Sequence, residues 1–281
     1  GKIRGHELVA GEGCLELEGT IGVKLEAFVQ LLGLVRKDFP FARAELGNFN
    51  TTIPCLGGAD ESPETGDRIA ELDADGTLRL LIGHDADERT VNPLSIDETF
   101  FVSQADPDIV VQAFGVSQRF DAASVTRIFA DAADGNDTII MHESVTKPAE
   151  LSGGPGTDSL QGGSGDDTLD GGSDADTIAG FAGADVITGG ADFDVLDGGG
   201  GEDTIEAGFG DDSIIGGADP DSINAGAGDD TVSGGDENSP GDTIDGGPGD
   251  DLVLGGNGDD VITTGDGENV AYGDAGADSI T

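Results

Sequence analysis

Aspartate returns at a fixed interval through the second half of this chain. From Gly153 to Thr281 the sequence repeats a nine-residue unit, for example GGSGDDTLD and GGNGDDVIT, in 14 copies with one three-residue insertion between residues 236 and 240. An isolated earlier copy, AADGNDTII, spans residues 132–140. Carboxylates are hard oxygen ligands, so a regular row of them is a donor set suited to a divalent cation. The candidate metal ligands are the aspartates at the sixth place of each unit: Asp137, Asp158, Asp167, Asp176, Asp185, Asp194, Asp203, Asp212, Asp221, Asp230, Asp242, Asp251, Asp260 and Asp278.

The other places of the unit indicate how these carboxylates are held. The first half is rich in glycine, which adopts positive φ without steric cost and so allows a tight turn with inward carbonyls. The last three places alternate polar, apolar and polar, with an aliphatic residue at the eighth place, which is typical of a short strand with one buried side chain. Such a unit cannot bury its own apolar residue. Neighbouring units must therefore stack, two units to each coil of 18 residues, and the sequence predicts an all-β solenoid.

Stacking brings the carboxylates together and creates a need for cations. Strands stack about 4.8 Å apart, and two carboxylates at that distance repel by about 0.9 kcal/mol in water or about 3.5 kcal/mol at an effective dielectric constant of 20. The repeat region holds 31 acidic residues and no Lys or Arg. A flexible all-oxygen site suits Ca²⁺ better than Mg²⁺. If each ion lies between units n and n+2, the 14 units provide at most about 12 sites, so we expect multiple Ca²⁺ ions.

The repeat resembles the RTX nonapeptide family, whose pattern is GGxGxDxUx, over 129 of the 281 residues. The resemblance implies a right-handed parallel β-roll that is disordered without calcium and folded with it, in a protein exported by a bacterial type I secretion system. It also implies that the sixth-place aspartates are the side-chain ligands and that carbonyls of the preceding turn complete each site. The departures from the pattern are Asn269 at the sixth place, Phe181 and Asp274 at the second, and Asp174, Asp192 and Asp219 at the fourth.

Composition excludes several classes of partner. The chain has 281 residues and a formal net charge of −46, so it is expected to repel nucleic acid and anionic membranes. No apolar run approaches the roughly 18 residues that a membrane span needs. The sequence begins at Gly1 without Met or a secretory signal, and we expect it to be a fragment of a longer protein. A cell-surface or extracellular-matrix partner stays open.

The charge pattern divides the chain near residue 150, because all 12 basic residues lie at or before Lys147. We expect three segments: residues 1–71 of unknown family, a β-rich cap at residues 72–152, and the β-roll at residues 153–281. Residues 21–35 have helical apolar spacing that Gly33 weakens, and a strand is the alternative there. Cys14 and Cys55 could pair or remain free thiols.

Motifs of common enzymes do not occur in the sequence. His6-Glu7 and His142-Glu143 lack the second His of a zinc-protease helix, and Ser164 is not in a GxSxG turn. The predicted function is a secreted, non-catalytic calcium-binding repeat module that folds on Ca²⁺ binding after export. The alternatives are the non-catalytic C-terminal part of an exported metalloprotease, lipase or polysaccharide epimerase, or an adhesin or surface-layer element.

Overall fold

The computed structural model describes the backbone of Glu16–Gly19 and Phe49–Thr52, together with residues 68–83, 97–236 and 241–281. The chain divides into two compact units, Gly1–Glu64 and Thr65–Thr281. In the first unit, β1 (Glu16–Gly19) pairs antiparallel with β2 (Phe49–Thr52). The expected helix at residues 21–35 and the two cysteines lie outside the described residues.

The second unit begins with short antiparallel strands at one end of a solenoid. β3 (Ala70–Leu72) and β4 (Thr77–Leu80) form a hairpin, and β5 (Thr99–Ala105), β6 (Asp108–Ala113) and β7 (Val116–Asp121) form a meander. β8 (Arg127–Asp131) and β9 (Thr138–Met141) then add parallel to β4 and β5. The parallel stacking therefore starts before the regular repeats.

The repeats continue this stacking to the end of the chain. Their strands are β10 (Ala149–Pro155), β11 (Ser159–Gly163), β12 (Thr168–Ser173), β13 (Thr177–Ala182), β14 (Val186–Ala191), β15 (Val195–Gly200), β16 (Thr204–Phe209), β17 (Ser213–Ala218), β18 (Ser222–Ala227), β19 (Thr231–Asp236), β20 (Thr243–Asp245), β21 (Leu252–Asn257), β22 (Val261–Thr263), β23 (Val270–Ala275) and β24 (Ser279–Ile280). Successive strands alternate between two 11-stranded sheets. Sheet 1 contains β3, β4 and the even strands from β8 to β24, and sheet 2 contains β5, β6, β7 and the odd strands from β9 to β23.

Strand register confirms the predicted coil. Glu150 of β10 pairs with Thr168 of β12, 18 residues later, in a parallel ladder. The insertion lengthens one coil, so that Ser222 pairs with Thr243. All described strands of the repeats pair in parallel, and the described part of the chain contains no α-helix. The predicted all-β fold is therefore confirmed as a parallel β-solenoid consistent with a β-roll.

The core lies between the two sheets and consists of the eighth-place side chains. Leu160, Leu169, Ile187 and Leu196 are all fully buried. In β12 and β15 the residues on either side of Leu169 and Leu196 are exposed. Phe100 of β5 pairs with Ile139 of β9 and extends the same ladder into the N-terminal strands. Among the described residues no helix is long and apolar enough to cross a membrane.

Candidate metal centre

The sixth-place aspartates form two columns, one along each edge where the chain turns from one sheet to the other. Each aspartate of the first column lies in the turn from a strand of sheet 1 to the next strand, in sheet 2. Each aspartate of the second column lies in the turn from a strand of sheet 2 to the next strand, in sheet 1. The first column is Asp137, Asp158, Asp176, Asp194, Asp212, Asp230 and Asp251, and the second column is Asp167, Asp185, Asp203, Asp221, Asp242, Asp260 and Asp278. All of them are 0–4% exposed except Asp278, which is half-buried in the last coil.

Each column is held by hydrogen bonds between successive coils. The backbone N–H of Asp185 donates to Oδ1 of Asp203 at 2.8 Å, and the N–H of Asp203 donates to Oδ1 of Asp221 at 2.8 Å. The carbonyl of Asp185 accepts from the N–H of Thr204 at 2.8 Å. The same N–H to Oδ1 bond recurs along both columns, from 2.7 Å at Asp137 and Asp158 to 3.1 Å at Asp260 and Asp278. One oxygen of each carboxylate is therefore fixed by the fold.

The second carboxylate oxygen is buried and accepts no hydrogen bond. In the described part of the chain this holds for Oδ2 of Asp137, Asp158, Asp167, Asp176, Asp185, Asp194, Asp203, Asp212, Asp230, Asp242, Asp251 and Asp260. A buried ionised oxygen without a partner is costly, because nothing replaces the water it loses. These atoms therefore require a counter-charge or a donor.

A small space beside the first-place glycine lies in front of these oxygens. A Cβ added to Gly198 would lie 2.5 Å from Oδ2 of Asp203 and 2.5 Å from the carbonyl oxygen of Gly216 in the next coil. A carboxylate oxygen and a carbonyl oxygen thus face the same point. Two acceptors that share a space without a hydrogen fit a hard cation with oxygen ligands.

Asn269 shows what happens when the sixth place carries its own donor. Oδ1 of Asn269 accepts from the N–H of Asp251 at 2.8 Å, as an aspartate of the column would. Its Nδ2 donates to the carbonyl of Thr264 at 2.8 Å and to that of Gly265 at 3.4 Å. The amide therefore satisfies turn carbonyls that an ionised carboxylate would repel, and this turn needs no cation.

Three units of the columns carry alanine in place of the first-place glycine. They are the units of Asp137, Asp212 and Asp230, and the alanines, Ala132, Ala207 and Ala225, are all buried. The methyl group of each alanine takes the position at which a Cβ on Gly198 would overlap two oxygens. Sequence reasoning treated the first-place glycines only as turn formers and missed this second role, although the alanines are visible in the repeat.

Glu98 extends the first column into the N-terminal strands. Its N–H donates to Oδ1 of Asp137 at 2.6 Å, its Oε2 accepts from the N–H of Gly83 at 2.7 Å, and it is 2% exposed. The second column instead starts at Ala149, whose N–H donates to Oδ1 of Asp167 at 2.6 Å. Sequence reasoning missed Glu98. Glu98 could have been found from its spacing, because it lies two residues before the buried Phe100, as the sixth-place aspartate of a repeat lies two residues before the buried eighth place. The glycine-rich turn that precedes this aspartate in a repeat is missing before Glu98.

The fourth place needs a left-handed or more extended positive φ. Gly201 has φ +130°, and Asp174, Asp192 and Asp219 adopt φ of 72° to 77° at the equivalent place. These three aspartates therefore keep the turn at a cost of about 1–2 kcal/mol each relative to glycine.

Replacing Gly201 by alanine is expected to destabilise the fold by about 1–3 kcal/mol. The new Cβ would meet the carbonyl oxygen of Gly183 in van der Waals overlap, so the turn must shift towards the φ of Asp174. Gly200→Ala is the matched control, because its Cβ would approach nothing closer than 3.8 Å. Urea unfolding of both variants at saturating calcium measures the difference, and equal midpoints would contradict the strained turn.

Burial raises the pKa of the column carboxyls, and neighbouring carboxylates add to the rise. The pKa of Asp167 rises to about 8, those of Asp176 and Asp203 to about 7, and those of Asp185 and Asp194 to about 6. Desolvation is the largest cause of the raised pKa in each case. Hydrogen bonds from backbone N–H groups lower the pKa, but they offset only part of this rise. Without a cation, Asp167, Asp176 and Asp203 therefore bind protons near neutral pH.

Acidification from pH 8 to pH 5 is therefore expected to increase the β-structure of the calcium-free chain. The unfolded carboxyl has a pKa near 3.9, and the folded pKa values of Asp167, Asp176 and Asp203 lie at about 7 to 8. Over this range the folded chain binds more protons than the unfolded chain, so stability falls as the pH rises. Far-ultraviolet circular dichroism of metal-stripped protein measures it, and a β signal that grows with pH would contradict it.

Carboxylates alone cannot surround an ion in this fold. In residues 68–83, 97–236 and 241–281, no three His, Cys, Asp or Glu side chains are grouped closely enough to hold a metal. Backbone carbonyls must supply the remaining ligands, as the contact of the Gly216 carbonyl with the space beside Gly198 indicates. The donor set is all oxygen, which fits Ca²⁺ and disfavours softer metals.

Comparison with known proteins identifies the repeats. No curated protein matches the chain. The family model of the RTX calcium-binding nonapeptide repeat (HemolysinCabind) matches four times, at residues 152–180, 179–214, 207–239 and 245–280. These matches contain the aspartates of both columns from Asp158 to Asp278 except Asp242, which lies between the third and fourth matches. Residues 152–239 and 245–280 of this chain therefore consist of RTX calcium-binding nonapeptide repeats.

Proposed function

We propose that the chain is a secreted calcium-binding module whose β-roll folds when Ca²⁺ binds after export. The observation that carries the proposal is the row of buried Oδ2 atoms without hydrogen-bond partners. All of them except those of Asp137, Asp212 and Asp230 face a carbonyl of the next coil beside a first-place glycine. The sixth-place aspartates of both columns are the proposed side-chain ligands, with carbonyls of adjacent turns completing each site. When bound, the ion supplies positive charge that balances the carboxylate Oδ2 and the carbonyl oxygen facing it. No catalytic role is assigned to the module.

The charge balance links calcium to folding. In the folded, metal-free chain the carboxylates of each column lie at successive coils, and burial raises their pKa. Calcium binds the folded form and not the unfolded chain, so each independent site saturated at 100 times its dissociation constant adds about 2.7 kcal/mol of stability. Sites of the extracellular class, with dissociation constants of about 10⁻⁴ to 10⁻³ M, are empty where calcium is scarce and occupied outside the cell. The chain would then be unfolded during export and folded afterwards.

The proposed roles are assigned to the three expected segments of the chain. Residues 153–281 form the calcium-dependent roll, residues 72–152 cover its first coil, and residues 1–71 have no assigned role. The ladder from Phe100 through Ile139 to Leu160 supports a cap that is continuous with the roll. Glu98 at the head of the first column supports the same view.

A circular dichroism titration of the full chain with Ca²⁺ and with Mg²⁺ tests the proposal. We expect a cooperative gain of β signal with Ca²⁺ at about 10⁻⁴ to 10⁻³ M, and none with Mg²⁺ over the same range. Chelation of the calcium should reverse the gain. A chain whose β signal is already complete in chelator at pH 8, or that binds no Ca²⁺ in equilibrium dialysis, would disprove the proposal.

A further inference from the structure

The first-place glycine leaves room for a calcium ion in ten units of the roll. A Cβ added to Gly216 would lie 2.5 Å from Oδ2 of Asp221 and 2.5 Å from the carbonyl oxygen of Gly234. Calcium binds oxygen at about 2.3–2.6 Å, so a methyl group at this point would take the place of an ion bound to both oxygens. The same two kinds of oxygen converge beside Gly153, Gly162, Gly171, Gly180, Gly189, Gly198, Gly216, Gly234, Gly246 and Gly255.

The three first-place alanines all lie in the first column. Ala207 lies opposite Gly189 in the parallel ladder of β14 and β16, and Ala225 lies opposite Ala207 in that of β16 and β18, between paired neighbours on both sides. Their backbones therefore follow the course of the glycine units, and their methyl groups occupy the equivalent points. Every unit of the second column has glycine at the first place. The two columns thus differ in a feature that the carboxylates alone do not show.

We propose that these methyl groups exclude calcium from the units of Asp137, Asp212 and Asp230. The inference rests on the calcium binding proposed above and narrows its set of ligands. The first column then binds calcium at Asp158, Asp176, Asp194 and Asp251, with a gap of two coils before the last. The second column binds it without interruption at Asp167, Asp185, Asp203, Asp221, Asp242 and Asp260.

The carboxylates of the alanine units cannot turn towards another position for the ion. Oδ1 of Asp212 accepts from the N–H of Asp194 at 2.8 Å, and Oδ1 of Asp230 accepts from the N–H of Asp212 at 2.7 Å. The coils cannot move apart either, because parallel ladders join β14, β16 and β18 on both sides of the alanines. The ion is therefore excluded rather than displaced. A proton is the smaller counter-charge that still fits beside Oδ2 in these units.

Each alanine removes the site of its own unit and leaves the preceding site intact. The carbonyl oxygen of Ala207 lies 2.7 Å from the open point beside Gly189, and Oδ2 of Asp194 lies 2.6 Å from the same point. The site of Asp194 is therefore complete, and the gap begins one coil later. At the opposite edge these coils keep Gly198 and Gly216. Calcium thus holds the middle of the roll at one edge only.

Equilibrium dialysis of the full chain at about 10 mM Ca²⁺ tests the exclusion. At this concentration, sites with dissociation constants of about 10⁻⁴ to 10⁻³ M are about nine-tenths filled or more. We expect about ten ions for each unmodified chain, and two more for a variant with Ala207→Gly and Ala225→Gly. The reverse pair, Gly198→Ala and Gly216→Ala, should bind two fewer. None of these substitutions changes the net charge, so the diffuse attraction of Ca²⁺ to the acidic chain is the same in all three proteins.

Only samples with the full β signal in circular dichroism are compared. Equal stoichiometry of the unmodified chain and the Ala→Gly variant would overturn the exclusion alone, as would a Gly→Ala variant that keeps all its ions. A chain that binds no calcium would overturn the proposed function and the exclusion together.

Anomalous diffraction from crystals of the unmodified chain grown in calcium tests the same inference without a substitution. We expect calcium beside Gly198 and Gly216 and none beside Ala207 or Ala225. Calcium at either alanine would show that a methyl group at the first place does not exclude the ion, and the inference would then be wrong.

Discussion

Shortening Leu196 to alanine is expected to destabilise the calcium-loaded fold by about 2–5 kcal/mol. Leu196 is fully buried at the eighth place of β15, between Ile178 and Ile214 in the same ladder. The substitution removes apolar contacts and leaves a cavity that the flanking coils cannot fill, because their backbones are fixed by parallel ladders on both sides. Urea unfolding at saturating calcium measures the loss.

Val195→Ala is the matched control for Leu196→Ala. Val195 precedes Leu196 in the same strand, faces outwards and is 38% exposed, so its truncation should change the stability by less than about 1 kcal/mol. The same pair tests the link between core and metal. Since calcium binds only the folded form, Leu196→Ala should also raise the calcium concentration at the folding midpoint, and Val195→Ala should not. Equal effects of the two substitutions would mean that the ladder is not the core.

The solenoid could be predicted from the sequence because its determinants are local and repeated. Whether Leu196 is buried and Val195 exposed depends on strand alternation, which is visible within three residues. The 18-residue register follows from two units per coil, and the pairing of Glu150 with Thr168 confirms it. The two columns follow in turn, because the sixth places of alternate units fall at the same edge.

The features that the sequence did not reveal depend on contacts between coils. Glu98 joins the first column through the N–H of Gly83 and the Oδ1 of Asp137, and neither partner is near it in sequence. The role of the first-place glycine is similar: the oxygen facing Gly198 from the next coil belongs to Gly216, which the repeat pattern alone does not place in space.

Replacing the whole second column by asparagine is expected to reduce the need for calcium. Asn269 supports this, because its Nδ2 donates to the carbonyls of Thr264 and Gly265. A proton on a carboxyl, an amide group and a calcium ion each place positive charge between the same oxygens. An asparagine at each position should keep the Oδ1 bond, as Asn269 does with Asp251. The seven replacements are Asp167→Asn, Asp185→Asn, Asp203→Asn, Asp221→Asn, Asp242→Asn, Asp260→Asn and Asp278→Asn.

The variant also loses the repulsion within the column, which is about 0.9 to 3.5 kcal/mol for each neighbouring pair at 4.8 Å. We therefore expect a higher β signal in chelator at pH 8 than the unmodified chain gives, and a calcium stoichiometry lower by about half, because the first column remains. Circular dichroism and equilibrium dialysis measure the two quantities. The effect of acid on the calcium-free chain should shrink in parallel, since the pKa of Asp167 and that of Asp203 no longer contribute.

A control variant with the same change of net charge distinguishes the effect of the column carboxylates from the effect of general charge repulsion. It converts seven exposed carboxylates to amides: Glu143→Gln, Glu150→Gln, Glu202→Gln, Glu206→Gln, Asp245→Asn, Asp266→Asn and Glu268→Gln. If net charge alone kept the calcium-free chain unfolded, both variants would gain the same β signal in chelator. We expect the control to retain its calcium stoichiometry and to gain little β signal, because its carboxylates are already solvated. The buried oxygens at the edges of the sheets, and not the total charge of −46, would then be what makes folding depend on calcium.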